Sequence, residues 1–344
     1  MKPRLQDVAV RAGVSMKTVS NVINDFAHVS ESTREKVLAA IAETGYQPNL
    51  TARNLARGRS GMIALVVPQV DMPYFASLTR HVLQTAQEHS LTVLIHQTLD
   101  DLDQERRILQ GGLPQRIDGL VFSPRRVTPA EIEARADRTP LVLLGDLPYR
   151  GIADHVVIDN ALAAEEAVSH LIGLPRRRIA MVGAAWDDEA NPRYVGYRRA
   201  LEHHGLAVDP RLVVPTPHPS GDHGEAAMTA LLRRRGKGKR PDAVFCQTDW
   251  LALGVVRALH RHGLRVPEDV AVLGWDDIPY GRASTPTLTT VSPGREAVAR
   301  AALEALLEQQ EGRTTPVETV LPHRLIVRES TVGADATPVS PGRV

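Results

Sequence analysis

One cysteine in 344 residues has no partner within the chain, so no internal disulfide braces it. Cys246 follows the apolar run Ala243-Val244-Phe245 and reads as a small buried hydrophobe in a reducing compartment. No uninterrupted apolar run approaches the ~20 residues that a membrane-spanning helix needs. The opening residues, Met1-Lys2-Pro3-Arg4-Leu5-Gln6-Asp7, contain no apolar stretch of the secretory type. A cytoplasmic protein without a membrane partner is the expectation. Signs of catalysis are also missing: there is no nucleophile elbow and no His-Glu-x-x-His pair. Gly236-Lys237-Gly238-Lys239 has neither the preceding strand nor the Ser or Thr of a phosphate loop. His218 and His223, and the run Asp187-Asp188-Glu189, lack ligand spacing with a plausible partner. The sequence therefore leads us to expect no catalytic residues, no metal and no cofactor.

What is present fits a folded protein of more than one core. The chain is 43% hydrophobic and 24% charged, ordinary for a globular protein, and its length allows two or three domains. A net charge of +1 conceals an asymmetry. Residues 1–60 hold nine basic groups against five acids, which is +4 for the head and −3 for the remainder. Such a head suits a polyanion partner, although charge alone is equally compatible with chance. The basic run from Arg233 to Arg240 links a helix to a strand in the body and reads as a solvated loop, with a second DNA contact as the alternative.

The head reads as short helices. Leu5, Val8, Ala9 and Ala12 fall on one helical face. Gly13-Val14-Ser15 breaks the pattern, and Ser15 can cap a second helix, Met16 to Ile23. A third begins near Ser30-Glu31-Ser32 and runs to Gly45, its expected C-cap. A small residue (Ala9) where two helices cross and a glycine at the bend are what a helix-turn-helix requires. Val14, Val19 and Val22 would hold the second helix. Its other face carries Met16, Lys17, Thr18, Ser20 and Asn21, side chains suited to the donors, acceptors and thymine methyls of a major groove. An ordinary helical hairpin with a solvated face remains open on this pattern alone.

From Gly61 the pattern changes. Met62–Val67, Val93–Ile95, Leu120–Phe122, Leu141–Leu144, Ile179–Val182, Ala243–Cys246 and Val270–Leu273 read as strands buried on both faces. Amphipathic helices are expected between them: Tyr74–His89, Ala161–Ile172, Tyr194–His204, Gly224–Arg235 and Leu251–His262. This alternation predicts parallel sheets covered by helices, in two doubly wound α/β lobes. The Gly-, Ala-, Pro- and Ser-containing tail 333–344 reads as disordered and holds no leucine heptad.

The stretch Leu5-Gln6-Asp7-Val8-Ala9-Val10-Arg11-Ala12-Gly13-Val14-Ser15-Met16-Lys17-Thr18-Val19-Ser20-Asn21-Val22-Ile23-Asn24 resembles the head of the lactose-repressor (LacI/GalR) family of transcriptional regulators. The likeness continues through Val29-Ser30-Glu31-Ser32-Thr33-Arg34 and Gly45-Tyr46-Gln47-Pro48-Asn49. Further on, Gly274-Trp275-Asp276-Asp277, Pro286-Thr287-Leu288-Thr289 and Arg328-Glu329-Ser330-Thr331 extend it over nearly the whole chain. The resemblance implies a helix-turn-helix domain (1–48), a hinge helix (49–60) and a two-lobed core (61–332) like periplasmic sugar-binding proteins. The first lobe would comprise about 61–160 plus 291–322, and the second about 161–290 plus 323–332.

The resemblance also implies roles. Met16, Lys17 and Asn21 would read bases, with Ser15, Thr18, Ser20, Asn24, His28 and Ser30 nearer the phosphates. Met16-Lys17 departs from the commonest pair, so the half-site cannot be carried over from a relative. Leu5, Asn49, Ala52 and Arg53 complete the expected DNA-contacting set. Leu55 would wedge into the minor groove once two copies of Asn49–Arg57 meet on a palindromic site; a flexible basic linker is the alternative. Double-stranded operator DNA, a homodimer and a small-molecule effector, expected to be a sugar, are the implied partners.

Ligands of open parallel sheets bind beyond the carboxyl ends of the strands, and the residues at those ends here are polar or aromatic. Gln69 to Phe75, Ser123-Pro124-Arg125, Gly145-Asp146, Gln247-Thr248-Asp249-Trp250 and Trp275-Asp276-Asp277 occupy those places. Arg, Asp and aromatic groups converging there suit a polyhydroxylated ligand. By resemblance Arg193 and Asp276 are the first effector contacts, followed by Phe75, Ser123, Asp146, Thr248 and Trp250. For Asp249 and Asp277, helix capping or loop satisfaction is as good a reading. Thr248 stands where the family often has Asn, and Leu174-Pro175 replaces a glycine-containing turn. A sugar-responsive repressor is the leading expectation. A solute-binding protein of transport shares the core fold but not the head, and a small-molecule enzyme lacks supporting motifs.

Overall fold

The computed structural model describes residues 3–23, 26, 28–46, 59–146, 149–234 and 240–334. Asn24 and the hinge residues Asn49, Ala52, Arg53 and Leu55 lie outside the described residues, as does the tail beyond 334. The chain forms two compact units, residues 1–61 and 62–344.

In the first unit, helices Leu5–Ala12, Met16–Ile23 and Glu31–Thr44 enclose a small core of Val8, Ala9, Val19, Val22, Val37 and Ala40. Gly13 ends the first helix at φ +66° with open space where a Cβ would stand. Glycine is required there by backbone conformation, not by crowding. The Ser15 Oγ accepts from the Thr18 amide at 3.1 Å and so starts the second helix. Gly45 closes the third helix in the left-handed region.

The second unit contains two six-stranded sheets. The first comprises β1 (Met62–Val67), β2 (Thr92–Gln97), β3 (Gly119–Phe122), β4 (Leu141–Leu144), β5 (Asp154–Ile158) and, returning late in the chain, β11 (Glu318–Leu321). The second holds β6 (Ile179–Val182), β7 (Val213–Val214), β8 (Ala243–Cys246), β9 (Ala271–Trp275), β10 (Thr289–Ser292) and β12 (Arg324–Ile326). The spatial orders are 11-5-4-3-1-2 and 12-10-9-8-6-7. Every pairing is parallel except β10 with β12.

Strand alternation divides each sheet between two cores. Ile63, Leu65 and Val67 face helices Pro73–Glu88 and Arg295–Gln310, whereas Ala64 and Val66 face helix Leu102–Leu109. In the second lobe Ile179 and Met181 pack on helices Asn160–Gly173 and Pro192–His203; Ala180 and Val182 pack on Gly221–Arg234 and Asp249–Arg261. The chain crosses between lobes after β5, after β10 and after β11. The second crossing comes after Ser292, because Thr289–Val291 pair with β9.

Candidate functional site

The head presents a stripe of side chains on helix Met16–Ile23. Val19 and Val22 are buried, so the opposite face turns outward, carrying the exposed Met16 and Lys17 and the half-buried Ser20 and Asn21. Thr18 is held at the edge of that face by a 2.9 Å contact between its Oγ1 and the Ser15 Oγ. His28 and Ser30 are exposed, and the Ser30 Oγ lies 2.8 Å from the Thr33 Oγ1. Leu5 differs from the others: it is half-buried against the head core, leaving only part of its side chain for any partner.

The core holds a cavity of about 410 Å³ between its lobes, within the size range of small-molecule sites. Its wall is built from the carboxyl ends of parallel strands, as the topology dictates. Phe75, Ser123, Asp146, Arg193, Thr248 and Asp276 are brought together there. Trp250 is not. Successive helical residues turn by about 100°, so with Asp249 buried inward, Trp250 points to the flank and meets Tyr280 edge-on at 6.1 Å.

Arg193 is positioned by the sequence that precedes it. The Asn191 side chain accepts from the amides of Arg193 (3.1 Å) and Tyr194 (3.3 Å), and Pro192 occupies the first helical turn. The guanidinium then lies over the Trp275 ring, 4.3 Å from its centroid. Its Nη1 donates to the Gln247 carbonyl (2.6 Å), its Nε to the Asn160 Oδ1 (3.3 Å), and its Nη2 pairs with Asp146 at 3.0 Å. The last contact spans the lobes, since Asp146 comes after β4 and Arg193 after β6.

Asp276 faces this group under strain. Its φ is +112°, a region non-glycine residues rarely adopt, and the residue is 7% exposed. Burial raises its affinity for a proton well above the usual carboxylate range, while Arg193 pulls the other way. Among the described residues its carboxylate has no hydrogen-bond or ion-pair partner, although its amide donates to the Val291 carbonyl at 2.8 Å. The Gln247 Nε2 is likewise buried without a partner. An unmatched acceptor and an unmatched donor on one wall are a demand for a polar ligand.

The neighbouring aspartates serve the scaffold. Thr248, not Asp249, caps helix Asp249–Arg261, its Oγ1 accepting from the Leu251 amide at 3.2 Å. Asp249 accepts from the Thr290 hydroxyl (2.6 Å) and the Ile278 amide (2.8 Å) inside the second lobe. Asp277 pairs with Arg328 (2.7 Å) and Arg282 (2.9 Å). Asn160 lines the cavity without having been singled out from sequence, and Asp188, weighed there only as part of a metal-ligand run and set aside, lines it too. Asn160 begins a helix directly after β5, a strand the apolar pattern did not reveal. Among the described residues no group of three or more His, Cys, Asp or Glu could hold a metal ion, and no helix is long and apolar enough to cross a membrane.

Comparison with known proteins places both parts. Residues 4–49 match the profile of bacterial regulatory proteins of the lacI family, and residues 168–331 match a periplasmic binding protein-like domain. The HTH-type transcriptional repressor CytR of Escherichia coli is 32% identical, over 95% of this chain and 96% of its own. Two solved structures are similar over nearly the full length. The transcriptional regulator CelR–cellobiose complex has a TM-score of 0.69 and 33% identity, over 96% of this chain and 100% of that one. The lac repressor dimer bound to operator and the anti-inducer ONPF has a TM-score of 0.80 and 26% identity, over 97% and 100%.

Proposed function

This chain belongs to the lacI family of bacterial regulatory proteins, and from that premise we propose a dimeric repressor that binds a palindromic operator and responds to a sugar held between its core lobes. The chain is a DNA-binding transcriptional regulator and not an enzyme. The finer reading rests on one observation above all: a strained, buried and unpartnered Asp276 stands in the cavity wall that also holds Arg193 stacked on Trp275. Carboxylates accept from ligand hydroxyls, and the Tyr74 and Phe75 rings on the same wall suit the apolar face of a pyranose. The similar CelR structure is a complex with cellobiose, and the lac repressor structure is a dimer on its operator.

On the DNA, two copies of helix Met16–Ile23 would lie in successive major grooves, with Lys17 donating to guanine O6/N7 and Met16 touching apolar edges. Selection from a random duplex pool tests this. The full-length protein is expected to enrich a palindrome, and Lys17→Ala to relax one base pair in each half-site, at a cost of about 1–3 kcal/mol. An identical consensus for both proteins would remove Lys17 from base reading. Thermal-shift screening against free sugars, with and without the selected duplex, then identifies the effector.

A further inference from the structure

The cavity wall constrains the charge of what it can hold, an inference that rests on the cleft being the sugar site. Its charged residues are Asp100, Asp146, Asp188, Asp276, Arg125 and Arg193. Both guanidiniums already face a carboxylate. Arg193 pairs with Asp146 at 3.0 Å, and its remaining edges are taken by Asn160, Gln247 and the face of Trp275. Arg125 stands with its side chain 59% exposed, its Nε 3.9 Å from Asp100, whose buried Oδ1 has no hydrogen bond. Among the described residues, the acceptors left open on this wall are the Asp276 carboxylate, the Asp100 Oδ1 and the half-buried Asp188, and the neutral donors left open are the Gln247 Nε2 and the Tyr74 and Ser123 hydroxyls.

We propose that this cleft selects uncharged sugars and rejects their phosphate esters and uronates, with Asp188 imposing the rejection. Hydroxyl groups donate to unmatched carboxylates, so a neutral polyol satisfies the wall. A phosphate brings about −1.5 to −2 charge to a wall of four carboxyl groups against two guanidiniums, and like charges brought together without full compensation are disfavoured. The tendency of Asp276 to hold a proton leaves the selection intact. As an acid it donates one hydrogen bond to a ligand oxygen, and Asp188 still confronts the added anion.

The test is calorimetric titration of the full-length protein with matched probes: glucose and glucose 6-phosphate, ribose and ribose 5-phosphate, galactose and galacturonate, and inorganic phosphate alone. Wherever a free sugar binds, its charged counterpart should bind at least about tenfold more weakly, and inorganic phosphate should give no heat. An ester as tight as its parent would overturn the proposal, as would phosphate binding that disappears in Arg193→Ala. Silence from every free sugar would sink the sugar reading instead, and the charge argument is then decided by inorganic phosphate. Asp188→Asn, at a half-exposed position that tolerates the change, and the double variant with Asp276→Asn should gain phosphate affinity by at least about tenfold. Failure of both variants to gain it would overturn the proposal without reference to any sugar.

Discussion

Asp249 is a residue whose acidity the fold shifts strongly. It is fully buried, and Gly274 packs so close that a Cβ there would stand 2.2 Å from its Oδ1. Desolvation raises its pKa from 3.8 to about 7, against the opposing pull of its hydrogen bonds from Thr290 and Ile278. The unfolded chain ionises this carboxyl near the ordinary value, so between about pH 4 and about pH 7 the native state binds the extra proton. Stability contributed at this site is therefore complete below that window and falls as pH rises through it, by up to about 4 kcal/mol. Asp249→Asn keeps the shape and abolishes the titration. The melting temperature of the variant relative to the parent should climb from pH 4 to pH 7 and then level off. A difference that is flat across the window would mean that Asp249 stays ionised in the fold.

Helix Pro192–His203 does two jobs, and its packing explains how. A Cβ on Gly196 would come 2.1 Å from the Ala161 carbonyl oxygen and 2.7 Å from the Ala164 Cβ, so the two helices meet backbone to backbone. That approach keeps Asn160 and Arg193, each in the first turn of its helix, within 3.3 Å of one another. Alanine is the better helix former by about 1 kcal/mol, but here the side chain has nowhere to go. Gly196→Ala should lower unfolding stability in urea by about 1–3 kcal/mol or more; a net gain would show that the helices can part without cost. Such close packing was not legible in the sequence, because a glycine inside a helix carries no sign of what it touches. The helix-turn-helix and the seven apolar strands were legible, six of the strands because they are buried and apolar on both faces; β2, at the sheet edge, has no buried residue and leaves Ile95 45% exposed. β5 was missed because it opens on Asp154 and His155, polar residues that the fold buries. Helix Leu102–Leu109 escaped for a similar reason: Glu105 is buried and accepts from the amides of Arg125, Arg126 and Val127, so charge there marks an anchor instead of a surface. Helix Arg295–Gln310 also went unread, although it carries a stripe at Val298, Ala299, Ala302, Leu303 and Leu306. In the cavity, the strand ends bring Phe75, Ser123, Asp146, Thr248 and Asp276 together, whereas the direction of Trp250 depends on how far its helix has turned.

At the scale of the molecule, the question is how a ligand in the cleft could bias anything beyond it. Two sets of contacts tie the lobes: Arg193 to Asp146 in the cavity wall, and, outside the cavity lining, Arg295 from a first-lobe helix to both the Ser77 hydroxyl (3.1 Å) and the Asp277 carbonyl (2.7 Å). A sugar hydroxyl that takes over Asp146 or Asp276 changes the balance between lobe arrangements by its differential affinity for them, and by no more than that. Regulation by such a ligand must then be reciprocal. If the sugar changes operator affinity by some factor, the operator changes sugar affinity by the same factor, ordinarily about 5–150-fold. Arg193→Ala severs the cross-lobe pair without touching the exposed face of helix Met16–Ile23. It should leave operator affinity in the absence of sugar within about twofold of the parent, and bring both coupling factors to about one. The four dissociation constants of that cycle, measured for parent and variant at one salt concentration, decide the matter. A variant that still binds sugar and retains the parent's coupling would place the communicating contact elsewhere, with Arg295 the next residue to change.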